Sequence, residues 1–235
     1  VGENGAGKST LLKILSGDYR ADSGTVTLDG EDISHVDPLG ARRAGFRLVR
    51  QEPEIVPHVT AAENIFLGEF PRHGSIVDVG AMRRQTEELF RQGGFTGFLS
   101  PDALGDRLSP AQKHVIEITR ALKPGVKVVA FDEPTSSLTA EETTRLFALI
   151  RRLKQEGLGI IYVTHRLHEV MEISDRVAIL RDGHLMGVVP TAGTPQETIV
   201  RMMVGRDLAK GFERTESTRD EVVLDVAGIN SIWHR

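Results

Sequence analysis

The sequence predicts an α/β fold in which a mostly parallel sheet is covered by helices and interrupted by a helical insertion. Three observations carry this. A Gly-rich turn runs straight into a helical pattern at 2–15, helix and strand patterns alternate from residue 109 to 205, and helix-forming runs separate the strand at 46–50 from the next one. The chain has 235 residues, 29 Lys plus Arg against 33 Asp plus Glu, and a formal charge of -4. A chain of that length buries roughly 70 to 75% of its unfolded surface, enough for one large domain without staples. With no cysteine, disulfides and thiolate metal sites are excluded, which fits a reducing compartment. The mild acidity argues against a broad nucleic-acid or anionic-membrane footprint. Apolar runs such as VKVVAF and GIIYVT stop far short of the roughly 18 to 20 residues that span a bilayer. Val1 begins without Met, a basic region or an apolar run, so no signal peptide is expected and the sequence reads as a fragment.

Taken in order, VGENGAGKSTLLKILSG puts Leu11, Leu12, Ile14 and Leu15 at helical spacing and Gly17 at a C-terminal stop. GTVTLDG alternates around Val26 and Leu28 and turns at Asp29 and Gly30, which reads as a short strand. Phe46 to Arg50 reads as a strand broken by Pro53. Thr60 and Glu63 form a capping box that opens a helix. Residues 78–92 make an amphipathic helix that ends in Gly93 and Gly94. A helical subdomain is therefore expected over about 60–122. SPAQKHVIEITRAL then starts a helix, followed by strands expected at Val126 to Phe131, Gly159 to Thr164 and Arg176 to Leu180 in one parallel sheet. After a last helix, TPQETIVRMMVG, the charged stretch at 205–220 reads as a linker. EVVLDVAGINSIWHR at 221–235 reads as the opening strand of a further domain.

Chemistry enters at the first turn. Gly2-Glu3-Asn4-Gly5-Ala6-Gly7-Lys8-Ser9 fits G-x-x-x-x-G-K-[ST] and opens a helix at once. Its glycines let backbone N–H groups turn inward, the helix N-terminus adds partial positive charge and Lys8 adds a full one, so polyphosphate is the natural ligand. The Ser9 hydroxyl suits Mg²⁺, a hard cation that takes oxygen ligands. The apolar run Val128 to Phe131 ends in Asp132 and Glu133, delivering two carboxylates to the end of a strand where open α/β sheets bind ligands. Asp132 is expected to hold Mg²⁺ through water and Glu133 to polarise the attacking water. His165 follows the strand 159–164 and reaches the same sheet edge. His165, His168 and Glu169 do not have the spacing of a zinc-protease motif. His35, His58, His73, His114, His184 and His234 read as surface or packing residues.

With these motifs placed, the chain resembles the ATP-binding-cassette (ABC) ATPases over nearly its whole length, which implies a P-loop NTPase, RecA-like core. Gln51, at the end of FRLVRQ, stands where that family has its Q-loop glutamine. LSPAQ, Leu108 to Gln112, stands at the signature position; SSLT, Ser136 to Thr139, matches the D-loop; His165 matches the switch histidine. Two departures stand out. Pro110 and Ala111 replace the usual signature glycines, although Ser109, Pro110 and Gln112 make good helix-start chemistry. Thr139 stands where the D-loop commonly has Asp. The family also stacks adenine on an aromatic residue upstream of the phosphate loop, a stretch this sequence does not contain.

The resemblance implies ATP and Mg²⁺ as cofactors. It assigns nucleotide contacts to Gly2, Glu3, Asn4, Gly5, Ala6, Gly7, Lys8, Ser9 and Thr10, with Ser109, Ala111 and Gln112 serving the nucleotide of an opposing cassette. Ser9, Gln51 and Asp132 are implied around the metal; Glu133, Gln51 and His165 are the implied catalytic set. MMVGRDL before the linker, ENIFLGEFPRHGSIVDVGAMRR in the insert and IEITRAL after the signature resemble the first cassette of tandem-cassette ATPases that energise bacterial import of ribose-, galactose- or xylose-type sugars. Implied partners are a second cassette, membrane permease subunits and, indirectly, an extracytoplasmic sugar-binding protein, with no nucleic acid. The implied location is peripheral, on the cytoplasmic face of the inner membrane. Two alternatives stay open: a truncated, catalytically poor ABC module, favoured by the altered signature, and a non-transport ABC ATPase, disfavoured by the charge and the short insert.

Overall fold

The computed structural model describes residues 1–136 and 138–205, of which Val1–Val204 form one compact unit. The expected linker past Gly205 and the expected domain start at 221–235 lie outside the described residues.

Helix α1, Lys8–Leu15, starts directly after Gly7 at φ 96°. Its Leu12 is fully buried against Ala41, Phe46, Ala130 and Val163, which docks the helix on the sheet. Strands β1, Thr27–Leu28, and β2, Glu31–Asp32, form a hairpin across the expected turn. Helix α2, Pro38–Ala44, has Asp37 as a side-chain cap, proline in the first turn and Gly45 at a left-handed C-cap. Those start and stop signals stand in the sequence, but the run is so short that it shows no periodicity. Strand β3, Phe46–Val49, follows immediately.

The insertion begins with α3, Ala61–Ile65, where the Thr60–Glu63 capping box is complete. A small hairpin, β4 at Arg72–His73 and β5 at Ile76–Val77, leads to α4, Val79–Gly93, capped by Asp78 and stopped at Gly94 in the left-handed region. After a single 3-10 turn at Gly105–Arg107 comes α5, Pro110–Ala121. Phe66, Met82, Leu89, Phe90 and Phe95 from this region share one core with Val129 and Phe131 of the sheet and with Leu146 and Phe147 beyond it. Each such fully buried side chain contributes roughly 1.5 to 3 kcal/mol, so the insertion is held to the sheet by packing rather than by its short loops.

Strand β6, Val128–Asp132, helix α6, Ala140–Gln155, strand β7, Gly159–Val163, and helix α7, Leu167–Ile173, complete the alternation. The sheet is parallel in the order β3-β6-β7, with Val49 level with Phe131 and Phe131 level with Tyr162. The third expected partner behaves differently. Strand β8, Arg176–Arg181, pairs antiparallel with β9, His184–Pro190. Its other edge bonds Val1, whose N–H reaches Ala178 O at 2.7 Å while Leu180 N–H reaches Val1 O at 2.8 Å, the alternation of a parallel ladder. The Asp182-Gly183 turn, both residues at positive φ, returns the chain into β9 before any crossover helix forms. Helix α8, Gln196–Val204, closes the unit by burying Ile199 and Met203 on Val177 and Ile179. Among the described residues no helix is long and apolar enough to cross a membrane.

Candidate functional site

The loop 2–9 is built by close approach. Gly2 sits so near β8 that a Cβ there would lie 2.4 Å from Leu180 O and 2.8 Å from the Ala6 Cβ, so only glycine fits. Gly7, at φ 96°, turns the backbone in the left-handed region just before α1. From behind, Gly183 N–H donates to Ala6 O at 3.3 Å. Lys8 is buried, and its Nζ donates to Gly2 O and Glu3 O, both at 2.9 Å. The ammonium is thus folded back over its own loop, while Ser9 and Thr10 are exposed at the mouth.

The strand ends supply the rest. Ser9 Oγ donates to Asp132 Oδ1 at 3.2 Å, joining loop and acid pair across 123 residues. Burial raises the Asp132 pKa; the Ser9 bond opposes this, the Glu133 charge adds to it and Lys8 opposes it. Glu133 itself is a non-glycine residue at φ 46°, a conformation that costs of order 1 to 3 kcal/mol and is kept only where the surroundings enforce it. Here they do: Glu133 N–H donates to Val163 O at 2.9 Å and Ser136 N–H closes a turn on Glu133 O at 3.2 Å. The result aims the carboxylate at His165, with Glu133 Oε1 3.1 Å from His165 Nδ1. Glu133 is mostly covered and His165 half exposed.

The structure therefore brings together Lys8, Ser9, Asp132, Glu133 and His165. Gln51 stands outside both pairs. It is exposed just past β3, and its described bond is through its carbonyl, which faces Nε2 of the buried His114 at 3.1 Å. His114 Nδ1 faces Pro110 O at 3.2 Å, so this histidine, expected only to pack or face solvent, links the segment after β3 to the start of α5. Ser109 accepts from Gln112 N–H at 3.2 Å and Gln112 Oε1 accepts from Ser109 N–H at 3.0 Å. The altered signature thus starts a well-capped helix, and the Ser109 hydroxyl proton stays available because a hydroxyl accepts and donates at once. Thr139 caps α6 in the same way with Glu142. Ser137 lies outside the described residues.

Sequence reasoning met Glu169 only in the set with His165 and His168 that lacks a zinc-protease spacing, and gave it no other role. It is fully buried and receives hydroxyls from Thr135, Tyr162 and Thr164. It lies in the first turn of α7, Leu167–Ile173, which starts just after His165.

A family model described as ABC transporter matches residues 1–136, more than half of the chain. The chain belongs to the ABC transporter family. It is 46% identical to the Ribose import ATP-binding protein RbsA 2 of Mesorhizobium japonicum over 98% of this chain and 46% of that protein. It is 44% identical to the Ribose import ATP-binding protein RbsA 1 of Rubrobacter xylanophilus over 97% of this chain and 45% of that one. The cassette thus spans somewhat under half the length of these relatives. Its fold matches a dimeric ATP-binding cassette solved in a post-hydrolysis state with ADP and Pi, at a TM-score of 0.71 and 22% identity over 82% of this chain and 84% of that one. The expected P-loop NTPase core with a helical insertion is therefore the fold of this protein.

Proposed function

We propose that the chain is the nucleotide-binding and hydrolysing part of an ATPase that energises monosaccharide import, working with a second cassette, permease subunits and a separate sugar-binding protein at the cytoplasmic face of the inner membrane. The observation that carries the reading is the Ser9–Asp132 contact, which sets a phosphate-binding loop against a carboxylate pair. The names of the ribose-import relatives support the substrate class. We further propose that residues 1–204 are one cassette, 205–220 a linker and 221–235 the start of a second.

In this reading the inward N–H groups of residues 2–9 and the Lys8 ammonium bind the β- and γ-phosphates, Lys8 exchanging two carbonyl contacts for phosphate oxygens. Oxygen donors fit Mg²⁺: Ser9 and Asp132 are close together, and magnesium is usually held by one or two carboxylates plus substrate phosphates rather than by an all-protein cage. Bound Mg²⁺ would neutralise charge on the phosphates. Glu133 orients and deprotonates the attacking water, and His165, hydrogen-bonded to it, reaches the γ-phosphate. Gln51 would approach the nucleotide only on closure, when the groove beside it moves. That groove, about 560 Å³ and lined by Arg47, Arg50, Glu54, Glu117 and Arg120, is the surface we assign to the permease. Ser109 and the N-terminus of α5 would meet the nucleotide of the opposing cassette.

The test is a titration of the full-length protein with MgATP, followed by phosphate release. Lys8→Ala abolishes binding in this reading, whereas Glu133→Gln binds and does not turn over. Uptake of labelled ribose and galactose by cells with and without the intact system then separates an importer from an ATPase of another kind.

A further inference from the structure

We propose that Glu169 is a positioning residue for hydrolysis, a buried anion that holds the turn bearing Glu133 and the strand end bearing His165 in one geometry. This rests on the ATPase reading above. A fully buried carboxylate is costly, and it is retained in a fold only where enough donors replace its water. Glu169 has them on both oxygens. Oε1 accepts from the Thr135 hydroxyl at 2.7 Å and faces Arg166 Nη1 at 3.4 Å. Oε2 accepts from the Tyr162 hydroxyl at 2.9 Å and from the Thr164 hydroxyl at 3.0 Å. Thr135 and Thr164 are themselves buried. Burial and the neighbouring Glu169 charge both push the Tyr162 pKa up, which keeps that phenol a donor.

The partners are the flanks of the two reacting groups. Thr135 lies two residues after Glu133, inside the turn closed by Ser136 N–H on Glu133 O. Arg166 Nη1 also reaches Thr135 O at 3.3 Å. Thr164 and Arg166 bracket His165, and the Thr164 hydroxyl, while donating to Glu169, accepts from Arg166 N–H at 2.9 Å. One carboxylate therefore ties the residues on either side of His165 to the turn that forces Glu133 to φ 46°. A left-handed glutamate relaxes when its turn is released, and the 3.1 Å contact to His165 is then lost. Glu169 is fully buried and both of its oxygens are taken up by these donors, so it acts through its partners.

The test uses the full-length protein with Glu169→Gln, Thr135→Val and Thr135→Ser, read by steady-state hydrolysis, MgADP affinity and amide hydrogen exchange. Glu169→Gln and Thr135→Val are expected to lower kcat at least tenfold while leaving the MgADP Kd within about twofold, since the described hydrogen bonds of Glu169 run to Thr135, Tyr162, Thr164 and Arg166 and not to residues 2–9. Thr135→Ser, which keeps the hydroxyl, is expected to keep kcat within about threefold. Exchange at the Ser136 and Arg166 amides is expected to quicken at least tenfold in the two damaging variants and not in α1. Unchanged kcat in folded Glu169→Gln overturns the proposal, as does unchanged exchange at both amides. A loss of kcat matched by an equal loss of folded protein also overturns it, because that is a purely structural role. If the wild type hydrolyses nothing, the ATPase reading fails instead, and the exchange rates alone then decide whether Glu169 holds the two flanks.

Discussion

Gly2→Ala tests whether the phosphate loop is shaped by what lies behind it. The added Cβ would sit 2.4 Å from Leu180 O and 2.8 Å from the Ala6 Cβ. Carbon contacts are comfortable at about 3.5 to 4.0 Å, so roughly 1 Å of overlap must be relieved at two points. Leu180 gives little, being paired to Leu185 and bonded through its N–H to Val1 O. The loop must retreat, carrying the Lys8 contact at Gly2 O and the Ala6 O contact at Gly183 with it. Overpacking of this kind costs about 1 to 3 kcal/mol. If the shift is felt in the bound state, MgADP binds roughly 5- to 150-fold more weakly; if it is felt in the fold, Tm falls by roughly 2 to 12 °C. Gly24→Ala, outside the loop, is the control. Its Cβ meets nothing within 4 Å and carries only the strain of φ 91°, about 1 to 2 kcal/mol. Calorimetric titration and thermal melting of both variants check the contrast. Gly2→Ala with wild-type affinity and wild-type Tm would mean that β8 does not shape the loop.

Other contacts set further expectations. Asp132, its pKa raised by burial, binds its proton more tightly folded than unfolded, so this group makes the protein less stable as pH rises above the ordinary value of 3.8. Asp132→Asn should therefore raise the Tm of the nucleotide-free protein at neutral pH, with the gain fading on acidification, while weakening magnesium-dependent nucleotide binding; melts across pH check both. Thr60→Ala breaks a complete capping box and should cost about 1 kcal/mol, read from urea unfolding. Glu117, whose pKa is raised by burial despite the neighbouring Arg120, should be replaceable by Gln with less loss of stability than Arg120→Met. The latter leaves a buried carboxylate without its guanidinium, and melting of the two variants ranks them.

Much of this site is legible in the sequence. The glycines, Lys8 and Ser9 announce themselves because backbone amides approach phosphate only in a few sequences; Asp132 and Glu133, which by themselves could simply end a strand and start a turn, become legible once paired with that loop. Capping boxes at Thr60 and Ser109 are likewise local chemistry, since donor and acceptor lie three residues apart. The helical subdomain follows from period and caps. Harder to see are α2 and the small strands, too short for a period, and β8, whose apolar pattern suits a parallel or an antiparallel neighbour equally well.

The order of residues alone settled which groups carry charge, which turns need glycine and which stretches coil, because each of those depends on neighbours a few positions away. Folding in three dimensions settled the rest. It turned β8 back onto β9, set Ser9 against Asp132 and Glu133 against His165, and sealed Glu169 beneath them. Those pairings join segments far apart along the chain, and they form only when the shared core has drawn the segments together, since ordering two distant polar groups costs more entropy than their own contact returns.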